Sequence, residues 1–255
     1  MTKKIPYHND YALVDNNELI SKWLLWLSVI TSIVTVIVSK SKPFDSNENA
    51  ITILNAINSI LTVGYFFSDI IGNYLFYQAE RNRRDDFFDN SLNTKLSIEN
   101  TEEYYSNDNV SPGIEKMGVN SFENSFFSKE VSKRMLPPLV YKSISVIIIF
   151  LILALFTDRE ILSTALQALL PLTILQQTIR LFLYNKRVND VFKKYQSIFS
   201  VTTDGNKQLL IIHTMTSYET VLSWACIKLD SKIFHNLNDS LTIQWEQLKK
   251  KYSIG

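Results

Sequence analysis

Four long runs with almost no charged side chains decide what this chain can fold into. Trp23 to Ser39 ("WLLWLSVITSIVTVIVS") carries no charge over 17 residues. With Leu19 and Ile20 before it, the run reaches the roughly 20 residues that cross a hydrocarbon layer as a helix. Ala50 to Ser68 is uncharged for 19 residues and continues past Asp69 to Ala79. The third run, Leu139 to Thr157, contains "SVIIIFLILALF" and one lysine, Lys142, near enough to its start to snorkel. The fourth spans Ile161 to Ile179, with Pro171 in the middle and Gln176, Gln177 and Arg180 at its end. A soluble helix keeps a polar stripe for water, and the third run has none. The expected fold is all-α: a four-helix transmembrane bundle with a helical cytoplasmic domain.

Basic residues orient such a bundle. Four spans leave both termini and the 61-residue segment 77–137 on one side. The short connections on the other side hold Lys40, Lys42 and Arg159. The 77–137 segment holds eight basic residues, and the tail adds more from Lys186 and Arg187 onward. The positive-inside bias places the termini and that segment in the cytoplasm of an inner-membrane protein. The expected organisation is a cytoplasmic N-terminal segment (1–18), spans 1 and 2 (19–76), a cytoplasmic segment (77–137), spans 3 and 4 (138–183) and a helical tail (184–255). No cleavable signal is evident.

Several classes are disfavoured early. A net charge of +1 gives no reason to expect a nucleic-acid polymer as partner, and the single cysteine, Cys226, allows no internal disulfide. No P-loop, H-E-x-x-H or nucleophile elbow appears, no cofactor is expected, and the chain is read as a non-enzyme.

The cytoplasmic text is helical with one long interruption. Nothing stops the second run between Tyr74 and Leu96, so its helix is expected to leave the membrane with Phe76, Ala79, Arg83 and Phe87 on one face and Glu80–Arg84 and Arg81–Asp85 as i,i+4 pairs. "SIENTEEYYSNDNVSPGIEK" then reads as a loop ending at the breaker Pro112-Gly113. A second helix is predicted from Ile114 to Met135, stopped by Pro137-Pro138. In the tail, two or three helices break near "VTTDGNK", with Leu209, Ile212, Met215, Tyr218, Trp224 and Ile227 turned towards the 77–137 segment.

Two groups of polar residues are candidate sites. Asn55, Asn58, Asp69 and Asn73 share one side of the second span. Such a stripe either glues helices or lines a wet path, and Gln176, Gln177 and Arg180 of the fourth span are its expected counterparts. The second group is a phosphate-and-base site: Arg81, Arg83, Arg84 and Lys95 for phosphates, Tyr104, Tyr105 or Phe122 and Phe126 for stacking, with Asp86, Asp89, Asn90 and Asn124 beside them. The alternative for the arginines is a membrane-boundary role in which they pair with Asp85, Asp86 and Asp89.

Two resemblances bear on these residues. "DDFFD", Asp85 to Asp89, with "NDSLTIQWE", which supplies Asn238, Asp239, Thr242 and Glu246, resembles the two magnesium motifs of class I terpene synthases; that would imply a soluble diphosphate lyase. The four-span layout, "AERNRRDDFFDNSLNTKLS" and "EEYYSNDNVSPGIEKMGVNSFENSFFSKEVSKRM", over roughly residues 15 to 200, resembles the four-transmembrane effectors of bacterial anti-phage defence associated with cyclic-oligonucleotide synthases. That second resemblance implies a homo-oligomeric effector that takes a cyclic-oligonucleotide or phage-derived signal and disrupts the lipid bilayer around it. A housekeeping channel is the remaining alternative.

Overall fold

The structure, a computed structural model, describes residues 8–40, 48–97, 105, 107, 109–156, 161–200 and 206–254, with the backbone alone at 8, 36, 39–40, 150, 153–156 and 161–172. Among these residues the fold is all-α. The helices are α1 (His8–Lys40), α2 (Glu48–Leu92), α3 (Ile114–Phe156), α4 (Ile161–Ser200), α5 (Lys207–Ala225) and α6 (Ser231–Lys251). The chain divides into two compact units. Unit 1 comprises residues 1–10, 76–137 and 179–255; unit 2 comprises residues 11–75 and 138–178.

Unit 2 carries hydrogen-bonded polar side chains between its helices and exposes many large apolar ones. Ser28 Oγ donates to Asn58 Oδ1 at 2.6 Å, and Asn58 Nδ2 donates to Ser32 Oγ at 3.0 Å. Further along the same α1–α2 hairpin, Asn17 Nδ2 donates to the Ser68 carbonyl at 2.8 Å, and the Ser21 and Ser68 hydroxyls lie 2.7 Å apart. Between α3 and α4, the buried hydroxyls of Ser143 and Thr178 are hydrogen-bonded to each other. Small residues bring α1 and α2 together: a Cβ on Gly72 would stand 2.5 Å from Asn17 Nδ2. Outward point Trp23, Ile30, Ile37, Ile60, Val63, Phe66, Tyr141, Ile149 and Leu151, all exposed. Two helices among the described residues, α1 over Asn9–Thr35 and α2, are long and apolar enough to cross a membrane, and only 11% and 6% of their most apolar windows are buried.

Unit 1 has the opposite arrangement. Its core is built from rings and β-branched side chains: Phe87, Val119, Phe122, Val131, Tyr184, Val188, Tyr195, Ile211 and Trp245 are essentially inaccessible. Gly118 lets α3 and α5 approach, since a Cβ there would lie 2.9 Å from Ile211 Cδ1. Burial holds the Tyr184, Tyr195 and Tyr218 phenols above their ordinary range, so all three remain neutral at any physiological pH. The Tyr218 hydroxyl is 2.8 Å from that of Ser128.

Two sequence expectations differ from the structure. Pro137-Pro138 does not stop a helix; α3 runs through both, although the boundary between the units falls between them. Proline's φ is already helical and its cost is a missing N–H, and both prolines are exposed. In the tail, Met215 and Tyr218 are buried as expected, but they are joined by Ile211 and Leu222, while Leu209, Ile212 and Trp224 are exposed. Helix α4 runs from Ile161 to Ser200.

Candidate functional site

The charged cluster on the second half of α2 faces α5. Arg83 Nη2 donates to Glu219 Oε2 at 2.7 Å and Arg83 Nε to Glu80 Oε2 at 2.9 Å. Arg84 Nε reaches the same Glu219 oxygen at 3.1 Å, and its Nη2 lies 3.4 Å from Ser223 Oγ. Residues three and four apart on a helix share a side, which places Glu80, Arg83 and Arg84 together. Arg83 and Arg84 thus reach across to a carboxylate on α5, which the sequence reading of the arginines did not include. Glu219 was not anticipated. Its signal was its isolation, as the one charge in "QLLIIHTMTSYETVLSWACI"; a lone carboxylate in such a run survives burial by pairing.

Asp89 closes the helix. Asp89 is buried, and its carboxylate accepts from Thr94 Oγ1 at 2.7 Å and from the amides of Leu96 and Ser97, each at 2.8 Å. The turn is made by Asn93, left-handed at φ 59°, whose amide donates to the Asp89 carbonyl at 2.9 Å. Burial raises the Asp89 pKa, but the Leu96, Ser97 and Thr94 hydrogen bonds outweigh it and leave the group below the ordinary carboxylate range. A depressed folded-state pKa stabilises the fold fully above the unfolded value of about 3.9 and loses that contribution as pH falls through the folded pKa. Asp89→Asn is therefore expected to lower unfolding stability by about 1–2 kcal/mol at neutral pH. The gap from the wild-type chain should close in acid, as followed by urea unfolding at a series of pH values.

Beyond the turn lies a buried amide network. Asn120 Nδ2 donates to Asn90 Oδ1 at 2.9 Å and to Ser91 Oγ at 3.1 Å. Asn107 Nδ2 donates to Asn120 Oδ1 at 2.9 Å and to Glu123 Oε2 at 2.7 Å, and Trp245 Nε1 donates to Asn107 Oδ1 at 3.4 Å. Asn107 and Asn120 are fully buried. The network joins the end of α2, the following loop, α3 and α6. Asn107, Asn120 and Trp245 carried no periodic or motif signal, because each is tied to residues distant in sequence.

The proposed phosphate-and-base site is thus dispersed. Arg81 and Lys95 are exposed. Asp86 is buried, Asn90 belongs to the amide network, and Asn124 Nδ2 donates to the hydroxyl of buried Tyr105 at 3.0 Å. Phe122 has no exposed face: it packs among Phe192, Tyr195, Phe199, Trp245 and Tyr252 at centroid distances of 5.3 to 5.9 Å. Phe126 is buried against Phe192. Neither ring is placed to stack on a base. Tyr104 lies outside the described residues.

The membrane-face stripe also separates. Asn58 is buried in the α1–α2 contact; Asp69 and Asn73 are exposed, joined by a 3.2 Å hydrogen bond, and Asn55 is half-buried. Gln176 and Gln177 are exposed and Arg180 is half-buried. Asn58 acts as helix glue. The magnesium motifs fare no better: Asp89 is committed to its turn, Thr242 Oγ1 donates to the Asn238 carbonyl, Asp239 points outward and Glu246 pairs with Lys249 at 2.7 Å. Among the described residues no three His, Cys, Asp or Glu side chains gather to hold a metal ion.

Compared with family models, curated proteins and solved structures, the chain matches none.

Proposed function

We propose that this is a four-span inner-membrane protein, with both termini and unit 1 in the cytoplasm, that acts as a membrane-disrupting effector of anti-phage defence. The observation that carries the membrane part is the inverted layering of unit 2, with serine and asparagine hydrogen bonds between helices and isoleucine, phenylalanine and tryptophan outside. That layering suits a lipid solvent, in which backbone and side-chain polar groups must be satisfied within the protein. The bias of basic residues towards segment 77–137 and the tail supports the orientation. The defence role rests on the resemblance given above.

A signalling route is available in α2, one helix of 45 residues that belongs to both units. Its arginines are held by Glu219. A phosphate-bearing signal such as a cyclic oligonucleotide would compete with that carboxylate for Arg83 and Arg84 by bidentate pairing, and a shift of α2 would pass into the membrane. Asn58 and its serine partners hold spans 1 and 2 together and are not assigned to a pore.

Reconstitution in dye-loaded vesicles tests the reading. Leakage is expected on addition of a cyclic oligonucleotide from a panel, and Arg83→Gln/Arg84→Gln should remove the response. Release of the protein from membranes by an alkaline wash would sink the four-span placement. Retention in the membrane without leakage under any ligand would sink the effector role alone.

A further inference from the structure

Among the described residues of unit 1, three Phe, Tyr or Trp side chains are exposed: Tyr77 (57%), Phe182 (56%) and Trp224 (44%). Helices α2, α3 and α4 leave unit 1 at Phe76, Pro137 and Ile179, so Tyr77 and Phe182 stand within about 5 Å of those points along their helices. Rings so placed are what the headgroup layer of a bilayer collects. Trp224 belongs to the tail, and the fold carries it to the same end. Arg187 of α4 lies 4.3 Å over its ring. Arg187 follows residue 183, the expected end of span 4, by four residues; that is about 6 Å of helix, within a headgroup layer roughly 5–8 Å deep. Just beyond Trp224, the Asp230 amide donates to Met135 Sδ at 3.5 Å, two residues before α3 leaves the unit. The α5–α6 corner, residues 224–232, therefore turns at the end of unit 1 from which the three long helices continue.

The charge exposed at this end is mostly basic: Lys133 and Arg134 on α3, Lys186 and Arg187 on α4, and Lys232 on α6. The carboxylates close by have other work. Asp230 caps α6, accepting from the Ile233 amide at 3.0 Å; Glu130 pairs with Lys129 at 2.8 Å; Glu80 and Glu219 hold Arg83 and Arg84. Asp85 and Asp190 lie farther along α2 and α4 from Phe76 and Ile179. A guanidinium over an indole keeps its charge and its N–H donors, so Arg187 is held in place by Trp224 and still open to an anion.

We infer that the α5–α6 corner, together with Arg187, lies in the headgroup layer and binds the phosphodiesters of anionic phospholipids. Trp224 supplies the amphipathic ring, and Arg187 and Lys232 supply the cations. Neither signal anchors a chain strongly alone, but spans that already hold unit 1 at the surface make the contact intramolecular in effect. In that respect the inference rests on the membrane placement proposed above. A soluble phosphodiester would suit Arg187 equally, yet it gives no reason for exposed rings at this end of α2 and α4. Because α5 also carries Glu219, lipid at the corner bears on the helix that holds Arg83 and Arg84.

Nitroxide labelling of the full-length protein in phosphatidylglycerol-containing nanodiscs tests the placement. Cys226 is the sole native cysteine, so Cys226→Ser is the background for Ser231→Cys at the corner and Gln208→Cys at the opposite end of α5, both exposed positions. A lipid with nickel chelated in its headgroup is expected to relax the label at 231 several-fold more than the label at 208. Equal, weak relaxation would put the corner in water and overturn the inference, while spans that resist an alkaline wash would keep the four-span placement standing. Release by that wash sinks both. Lipid choice is read second: phosphatidylglycerol should be enriched around the wild-type chain over phosphatidylcholine. Arg187→Gln and Lys232→Gln should each lower that preference about two- to fivefold, and Arg187→Lys should keep it. An unchanged preference in both Gln variants would overturn the inference. So would saturable binding of glycerophosphoglycerol, the headgroup without its chains, to protein whose 231 label stays in water, since the site would then serve a soluble phosphodiester. Leakage enters none of these readouts, so failure of the effector role would leave them untouched.

Discussion

Glu219→Ala should destabilise unit 1 by about 3–5 kcal/mol, the range for removing one partner of a buried charge cluster. The carboxylate is nearly inaccessible, and it is the acceptor for both Arg83 and Arg84. Without it Arg83 keeps Glu80, but Arg84 loses its anion. The penalty comes from the stranded guanidinium rather than from the bond itself, so a variant in which the charges leave together, Glu80→Gln/Arg83→Met/Arg84→Met/Glu219→Leu, should recover much of the loss. Unfolding of the detergent-solubilised full-length protein, followed by near-UV circular dichroism, gives the comparison. Equal stability of Glu219→Ala and the wild-type chain would show that the arginines find other anions, and the cage would have no structural role. If the cage is also the signal switch, Glu219→Gln in vesicles should leak without ligand, since the amide no longer holds α2 by charge.

Much of this architecture was legible because it is written in periodicity and charge gaps, which are local. The apolar runs became α1 to α4, and the face bearing Phe76, Ala79 and Phe87 became a buried one. The start of α3 at Ile114 was readable from the Pro112-Gly113 breaker before it. What the sequence did not yield depends on contacts between distant residues. Arg83 and Glu219 are 136 positions apart, and Asn107 and Trp245 are 138 apart; no spacing rule links them. The DDFFD stretch misled for the same reason. Its carboxylates fit a metal motif by spacing, yet Asp89 is used by amides a few residues on, because a helix ending in left-handed Asn93 needs its following turn satisfied. Phe122 and Phe126 were found as a pair at helical spacing, but spacing alone cannot separate a ring that faces a ligand from one that faces the core.

Phe122→Ala is the substitution that decides between those two roles. The ring is wholly inaccessible and meets five other aromatic side chains from α4, α6 and the residue following α6. Truncating a phenylalanine in such a place costs about 3–5 kcal/mol, through lost transfer energy and the cavity left behind, and its edge-to-face contact with Trp245 adds to the loss. Phe122→Leu retains most of the volume and should cost about half as much. A stacking residue behaves otherwise: truncation would abolish ligand binding while leaving the unfolding midpoint in place. Measuring both quantities on the same protein separates the roles, and the expected result is a large fall in midpoint. If α2 carries the signal, as its continuity through both units suggests, Phe122→Ala should also blunt a ligand response indirectly, by loosening the domain that holds Arg83 and Arg84. Cooling the sample to restore the fold should then restore the response, whereas a lost stacking contact would stay lost at any temperature.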